Sequence, residues 1–254
     1  RDKVCDLLDP ICTLEDLGKM NFKYDFKLIE PHKGSMPNAF YDPDTDQQRL
    51  VRDYIFICFL LGNDFLPRLP CLKIRNGSLS NIVVIYKKVA WKLSSYIVNQ
   101  DLTINRSFLY QFIKEIASLE DDFMLQMTDQ RHKDISRFGY RLRDKSPYEQ
   151  AIEEFDYVEN QYYDTIQGGT DHWRKRYYEY HLNIVYRHEK EHKRHINPIC
   201  EEYLRGMNWI LQYYTGHHDN WSWFYPYDTS PTAKDLLEAL PNIEVDHSFE
   251  NNKP

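Results

Sequence analysis

One aspartate, Asp64, lies in a sequence context that favours metal chemistry. It ends the tripeptide Gly62-Asn63-Asp64, which follows the apolar run Tyr54–Leu61 and precedes a second apolar group with Pro67 and Pro70. A carboxylate buried between apolar segments is costly unless its charge is neutralised. A helix that stops at Gly62 would also direct its negative dipole end toward Asp64. A bound cation removes both costs, so the pattern predicts that Asp64 is a buried metal ligand at the functional centre of the chain. The alternative is an aspartate that ends the helix and caps the next turn.

Other carboxylates near Asp64 are poor candidates for the same site. Asp42, Asp44 and Asp46 alternate through a proline-containing loop without apolar neighbours, which favours solvated side chains. Asp53 precedes Asp64 by eleven residues. In a helix this spacing corresponds to roughly 16 Å, so we expect Asp53 to form a structural pair with a basic group instead. The sequence therefore offers one credible ligand.

Two tryptophans, Trp221 and Trp223, lie in the aromatic stretch Asn-Trp-Ser-Trp-Phe-Tyr-Pro-Tyr. In an extended segment both would point to the same side, whereas a turn would separate them. A flat aromatic face can stack on any nucleobase and contributes about 1–3 kcal/mol per base. The alternative is packing in the core, where aromatic clusters usually lie. The sequence favours one stacking and one structural tryptophan without deciding which is which.

Basic side chains close to these motifs are candidates for phosphate contacts. Arg174 and Arg176 belong to the basic and aromatic block Trp173–Tyr178, which could equally be a solvated helix face anchored by Trp173. Arg68 and Arg75 flank Asp64 more closely. They could contact a phosphate backbone or balance the acidic charge, and Arg75 could pair with a carboxylate.

Three histidines, His188, His192 and His195, have the spacing of one helix face. Such a face could hold zinc. The surrounding residues are polar on all sides, and charged helix faces are usually solvated. The sequence therefore favours a solvated face over a zinc site.

Helical periodicity and capping residues account for most of the chain. The predicted helices run from Asp44 or Thr45 to Leu61, from Ser78 or Ser80 to Leu93, from Asn105 or Ser107 to Leu119, from Thr170 or Asp171 to about Arg194, over Ile199–Tyr214 and over Thr232–Leu240. The third helix carries a polar far face: Lys114, Glu115, Glu120 and Asp121. Residues 128–150 are charged and poorly periodic, which predicts an insert, and Trp221–Tyr227 reads as an aromatic loop.

Composition sets limits on the class of protein. The chain has 254 residues, 42% hydrophobic and 28% charged, which is typical of a globular protein with a sizeable core. Its net charge of −7 argues against a general nucleic-acid coat and leaves room for a local basic groove. The longest apolar run is too short to span a membrane. Five cysteines without a C-x-x-C pair predict a reduced, intracellular protein.

Three blocks in the same order resemble the Xrn-type 5′-to-3′ exoribonucleases. The first is Phe59–Pro70 with the following Leu-Lys-Ile-Arg, the second is Trp173–Tyr178, and the third is Cys200–Pro231. This chain has Arg68 where the family usually has His. Near the end of the third block it reads Tyr-Asp-Thr-Ser-Pro where the family tends to read Tyr-His-Tyr-Ala-Pro.

The resemblance implies an enzyme that hydrolyses 5′-monophosphorylated RNA to mononucleotides with Mg²⁺ or Mn²⁺. It implies Asp64 as catalytic metal ligand, and RNA contacts from Trp221, Trp223, Arg68, Arg75, Arg174 and Arg176. The other acidic ligands of the family precede this match. We therefore expect the chain, which begins with Arg1, to be the C-terminal half of the catalytic module and inactive alone.

The expected fold is mostly α, a helical half that completes an α/β nuclease core supplied by the upstream half of the same protein or by a companion chain. Residues 1–100 would finish the nuclease core, and residues 101–254 would form a helical domain with the aromatic closing block. A cytoplasmic or nuclear location without membrane contact is expected. The alternative is a non-catalytic RNA-binding or scaffold protein derived from the same family.

Overall fold

The architecture is helical throughout the part of the chain that the structure, a computed structural model, describes: residues 43–74, 77–141, 145–152, 165–217 and 221–243. The principal helices are α1 (Pro43–Cys58), α2 (Ser78–Leu93), α3 (Arg106–Arg141), α4 (Trp173–Leu182), α5 (Glu189–Thr215) and α6 (Ala233–Ala239). Short 3-10 turns follow α1 at Phe59–Leu61 and α6 at Leu240–Asn242.

The helices pack because each buries an apolar stripe. α2 lies against both α1 and α3, and α6 packs against α3 and α5. Among the largest fully buried side chains are Phe56 of α1, Phe108 and Phe112 of α3, and Tyr203 of α5. The expectation of a mostly α chain is confirmed. The described residues contain no strand and only an isolated antiparallel bridge between Val98 and Ile104.

Helix α1 begins at Pro43, so Asp44 and Asp46 belong to its first turns and not to a loop, while Asp42 lies outside the described residues. At its other end the α-helix stops at Cys58, and the 3-10 turn then reaches Gly62. Gly62 has a φ of 89° and a ψ of 150°, a conformation that favours glycine but differs from the left-handed turn that commonly ends a helix.

Helix α3 extends to Arg141, so the predicted insert at 128–150 is wrong for its first part. Its turns beyond Leu119 need only a narrow apolar stripe, which Met124 and Met127 supply. Arginine, lysine, glutamine and glutamate are good helix formers, and charge therefore does not break the helix. The weak apolar periodicity of this charged segment therefore does not reveal the helix.

The boundary between α4 and α5 also differs from the expectation. The chain leaves the helix at Asn183, which has a φ of 52°, and re-enters at Glu189. Helix α5 then continues through Pro198, so the break predicted between Arg194 and Ile199 is wrong. Pro198 is exposed, so the carbonyl that its missing N–H leaves unpaired can be hydrated.

None of the helices in the described ranges has the length and apolarity required to cross a membrane. The cysteine thiols that the structure describes, those of Cys58, Cys71 and Cys200, are free. The division at residue 100 and the upstream nuclease core stay predictions.

Candidate functional site

The loop that presents Asp64 is shaped by its neighbour Asn63. The Oδ1 atom of Asn63 accepts hydrogen bonds from the backbone N–H groups of Phe65 and Leu66, both at 2.9 Å. The backbone N–H of Asn63 donates to the carbonyl of Leu66 at 3.0 Å. Gly62 allows the chain to close because a Cβ at that position would lie 2.9 Å from the backbone nitrogen of Arg68. The result is a tight loop, residues 62–69, with Asp64 near its tip; we call it the Asp64 loop.

Asp64 is exposed, so the expectation of a buried carboxylate is wrong for the chain as described. The turn made by Asn63 directs the acidic residue outward, while the apolar neighbour Leu66 is buried. The cost of burial therefore gives no argument for a cation here. Within the described ranges, no group of three or more His, Cys, Asp or Glu side chains could hold a metal ion.

The donor set fits one ligand position of a magnesium site. Mg²⁺ usually keeps several waters and binds through one or two carboxylates, and the exposed Asp64 can supply one of them. Asn63 is not available because its oxygen already accepts two backbone hydrogen bonds. Ligation by Asp64 stays a prediction.

Aromatic rings pack directly against the Asp64 loop. Phe65 meets Trp209 and Tyr213 of α5 edge-on, with ring centroids 5.1 Å apart in both pairs. Trp209 and Tyr213 stack on each other at 5.4 Å and an angle of 10°. Trp221 meets Tyr213 edge-on at 6.2 Å, and Trp223 lies 5.3 Å from Trp209. We call these five residues the aromatic cluster; it joins the first and third family-like blocks in space.

The structure distinguishes the two tryptophans. Trp223 is half-buried, and its ring packs against Gly206 while its Nε1 donates to Glu202 at 3.4 Å. Trp221 is 64% exposed at the outer edge of the aromatic cluster. Of the two, Trp221 therefore has the accessible ring, and Trp223 is a packing residue in this chain. Contact of either ring with RNA stays a prediction.

Arg68 lies in residues 66–69, the part of the Asp64 loop that returns from the tip to the core; we call this part the leg of the loop. Its Nη1 donates to the carbonyls of Pro70 at 3.3 Å and Leu72 at 3.2 Å. These bonds give the guanidinium a structural role, and an RNA contact by Arg68 stays a prediction. Arg75, the other flanking arginine, lies outside the described residues.

The guanidinium groups of Arg174 and Arg176 are also engaged by protein. Arg174 lies 3.4 Å from a carboxylate oxygen of Asp121. Arg176 donates to the carbonyls of Ile166 and Asp171 and to the hydroxyl of Thr170, which clamps the turn before α4. These bonds favour a structural role, and phosphate contacts by the two arginines stay predictions.

Glu120 is a buried carboxylate that the sequence reading placed on the solvated face of α3. It is fully buried, and it accepts hydrogen bonds from the backbone N–H groups of Ala233 at 2.6 Å and Lys234 at 3.1 Å, at the start of α6. Burial raises the pKa of Glu120 to about 7, against the opposing effects of those amides and of Arg174. Glu120 lies four residues after Ile116 and four residues before Met124. This spacing places it on the same face of α3 as two apolar residues, which is a sequence signal for its burial.

Asp53 is fully buried as well, but its partners differ from the expected basic group. It accepts hydrogen bonds from the hydroxyl of Tyr86 at 2.6 Å and from the amides of Ile97 and Val98, both at 2.9 Å. Burial raises the pKa of Asp53 to about 6, although these donors and the charge of Arg49 favour the ionised form. Asp53 therefore ties α1 to α2 and to the segment after α2.

The three histidines at the start of α5 lie in two environments, and His188 precedes the helix in an extended conformation. His188 and His195 are exposed. The Nε2 of His192 lies 2.6 Å from Asp235 of α6, whose carboxylate also accepts from the hydroxyl of Tyr178. Burial opposes ionisation of Asp235, but the hydrogen bond and charge of His192 lower its pKa below the ordinary value. The expectation that all three histidines are solvated is thus wrong for His192, which joins α5 to α6.

Comparison with known proteins matches the chain to one family. The family model described as the Xrn1 helical domain matches residues 44–146 and 125–254. A "5'-3' exoribonuclease 2 homolog" of Drosophila melanogaster is 25% identical over 243 residues, which cover 80% of this chain and 26% of the relative. The "5'-3' exoribonuclease 2" of Gallus gallus is 24% identical over 84% of this chain and 28% of its own length. The chain thus spans about a quarter of the length of these relatives.

Proposed function

Because the chain belongs to the family of the Xrn1 helical domain, we propose that it forms part of a 5′-to-3′ exoribonuclease. The enzyme would hydrolyse 5′-monophosphorylated RNA and release mononucleotides. One observation supports this function. Asp64 is exposed, and its neighbour in the chain, Phe65, packs against Trp209 and Tyr213 of the aromatic cluster. An acidic group and an accessible aromatic ring, Trp221, are thereby placed on connected elements.

Each of these side chains has a distinct task in the proposed reaction. Asp64 supplies one carboxylate oxygen to Mg²⁺ or Mn²⁺. When bound, such an ion activates water and stabilises the charge on the leaving oxygen. Trp221 presents its ring to a base near the 5′ end, and stacking of this kind accepts any sequence. The contact of Trp223 with Trp209 holds the segment that bears this ring against α5.

The resemblance implies several acidic ligands for the ion, of which Asp64 would supply one. We propose that the others are supplied by an upstream half of the same protein or by a companion chain, in a cytoplasmic or nuclear enzyme. This chain by itself would then be inactive. "Complete enzyme" below means the chain together with the polypeptide that supplies those ligands.

The proposal is tested by replacing Asp64 in the complete enzyme. Asp64→Ala should abolish Mg²⁺-dependent release of nucleotides from 5′-monophosphorylated RNA without changing the thermal unfolding temperature. Asp122→Ala, at another exposed aspartate, is the matched control and should retain activity. Normal turnover by Asp64→Ala would refute the ligand role. RNA binding with no cleavage by the unaltered complete enzyme would favour the non-catalytic alternative.

The role of Trp221 is tested in the same assay. Trp221→Ala should weaken RNA processing, because loss of one stacked base corresponds to about 1–3 kcal/mol. Trp91→Ala is the control, since Trp91 is 54% exposed on α2 and lies outside the aromatic cluster. Equal activity in the two variants would leave Trp221 without a role in binding RNA.

A further inference from the structure

Two buried hydroxyl groups hold adjacent carbonyls in the leg of the Asp64 loop. The hydroxyl of Tyr203 on α5 donates to the carbonyl of Pro67 at 3.1 Å. The Oγ of Ser230, in the closing block before α6, donates to the carbonyl of Arg68 at 2.7 Å. Tyr203 and Ser230 are both fully buried. Two consecutive peptide units are thus fixed by hydrogen bonds from two different segments.

The other backbone bonds of the loop do not do the same work. The bonds made by Asn63 hold the tip in its own shape, and the amide of Leu69 donates to the carbonyl of Leu60 at 2.9 Å, but none of these bonds reaches α5 or the segment before α6. The side chain of Asp64 is exposed, so its place relative to α5 depends on the backbone that leads to it. Burial of Leu66 and Leu69 presses that leg onto the core. Apolar contact is non-directional, whereas hydrogen bonds restrict direction as well as distance.

The backbone of Ser230 is itself fixed by a hydrogen bond to its carbonyl, so the position of its hydroxyl group is restricted. The hydroxyl of Tyr177 on α4 donates to the carbonyl of Ser230 at 3.0 Å and also contacts the hydroxyl of Thr229. Burial raises the pKa of Tyr177 to about 12, so it keeps its proton at neutral pH. Through the hydrogen bond from Ser230 to Arg68, the segment that carries Trp221 is connected to the segment that carries Asp64.

We infer that Tyr203 and Ser230 are positioning residues that set the place of Asp64 relative to α5 and the closing block. Neither hydroxyl touches substrate or metal; each acts through the backbone of Pro67 or Arg68. This inference rests on the proposed function, because it assigns the loop geometry to metal binding by Asp64.

The test measures metal binding without turnover. Mn²⁺ is titrated into the RNA-free complete enzyme and followed by electron paramagnetic resonance, for Tyr203→Phe, for Ser230→Ala and for the double variant. Loss of one buried hydrogen bond should raise the Mn²⁺ dissociation constant about fivefold. The Mg²⁺ concentration for half-maximal cleavage should rise by the same factor, with the KM for RNA unchanged. The double variant should lose less than the sum of the two, because both bonds restrain one segment.

Matched controls remove hydroxyls that do not hold the loop. Tyr86→Phe removes the bond to Asp53, and Ser78→Ala removes a 2.8 Å bond to the carbonyl of Lys73. Both should lower the unfolding temperature without moving the Mn²⁺ titration. If Tyr203→Phe and Ser230→Ala do no more than their controls, the two residues are structural only and the inference is wrong. If one of them does not fold, the other supports or refutes the inference alone.

Asp64→Asn separates failure of this inference from failure of the ligand role that the proposed function gives to Asp64. If Asp64→Asn binds Mn²⁺ and cleaves RNA like the unaltered enzyme, the ligand role fails and the positioning role fails with it. If Asp64→Asn is inactive while both hydroxyl variants titrate like their controls, only the positioning role is overturned. Weakened Mn²⁺ binding in all three supports both.

Discussion

Gly206 of α5 lies between Leu66 of the Asp64 loop and Trp223 of the aromatic cluster, and replacing it by alanine tests this contact. A Cβ at Gly206 would lie 2.6 Å from Cη2 of Trp223 and 2.8 Å from Cδ2 of Leu66. Both distances are too short for carbon atoms in contact. The ring of Trp223 cannot simply rotate away, because it packs against Trp209 on one side. Gly206→Ala must therefore displace the ring, the Leu66 side chain, or both.

The sign of the stability change distinguishes packing from helix propensity. Alanine in place of glycine within a helix stabilises by about 1 kcal/mol. Forcing an extra methyl group into a packed site costs about 1–3 kcal/mol. Two overlaps, one with a rigid ring, correspond to the upper part of that range, so the free energy of unfolding should fall by about 1–2 kcal/mol.

Urea unfolding followed by circular dichroism measures the effect. The control is Trp223→Leu, which removes the indole ring, and Gly206→Ala should cost less in that background than alone. Stabilisation by about 1 kcal/mol in the unaltered background would show that only helix propensity acts and would refute the close packing.

Further predictions concern the buried polar groups. Burial raises the pKa of Glu120 from 4.5 to about 7, so the folded protein keeps this proton to higher pH than the unfolded chain does. Stability should therefore fall by about 3 kcal/mol as pH rises through this window, and Glu120→Gln should flatten that slope in urea titrations. Asp53→Asn should destabilise by about 1–3 kcal/mol in the same assay, because one amide oxygen replaces two acceptor oxygens that serve three donors. Arg176→Lys should speed proteolysis at the turn before α4, since lysine cannot reproduce the three-way clamp.

Local sequence signals were sufficient for several helices. Helix α2 runs over Ser78–Leu93 as its apolar stripe predicts, and Thr232 caps α6 through a hydrogen bond from the amide of Asp235. These features depend on residues within one or two turns of each other. The end of α3 and the course of α5 were missed, because there a charged composition and Pro198 suggested breaks that exposed helix surface tolerates.

The candidate site could be predicted only in part, because its contacts join distant segments. The motif identified Asp64, but not that the neighbouring Asn63 turns it outward. Trp209 and Tyr213 were not singled out, since their importance comes from Phe65, more than 140 residues earlier in the chain. Periodicity assigns such residues to a buried face, yet it does not say which partner they meet.

The exposure of Asp64 changes the physical reason for expecting a metal ligand. A buried carboxylate would have needed a cation or several hydrogen-bond donors to offset its burial, whereas an exposed one is stable as it is. In the proposed enzyme, any requirement for the ion therefore belongs to catalysis and to the residues that would surround Asp64 there. What this chain contributes is geometry: Asn63 shapes the tip, Tyr203 and Ser230 fix the leg, and Phe65 joins the loop to the aromatic cluster. A variant that loosens these contacts should thus affect metal binding even though it leaves the carboxylate in place.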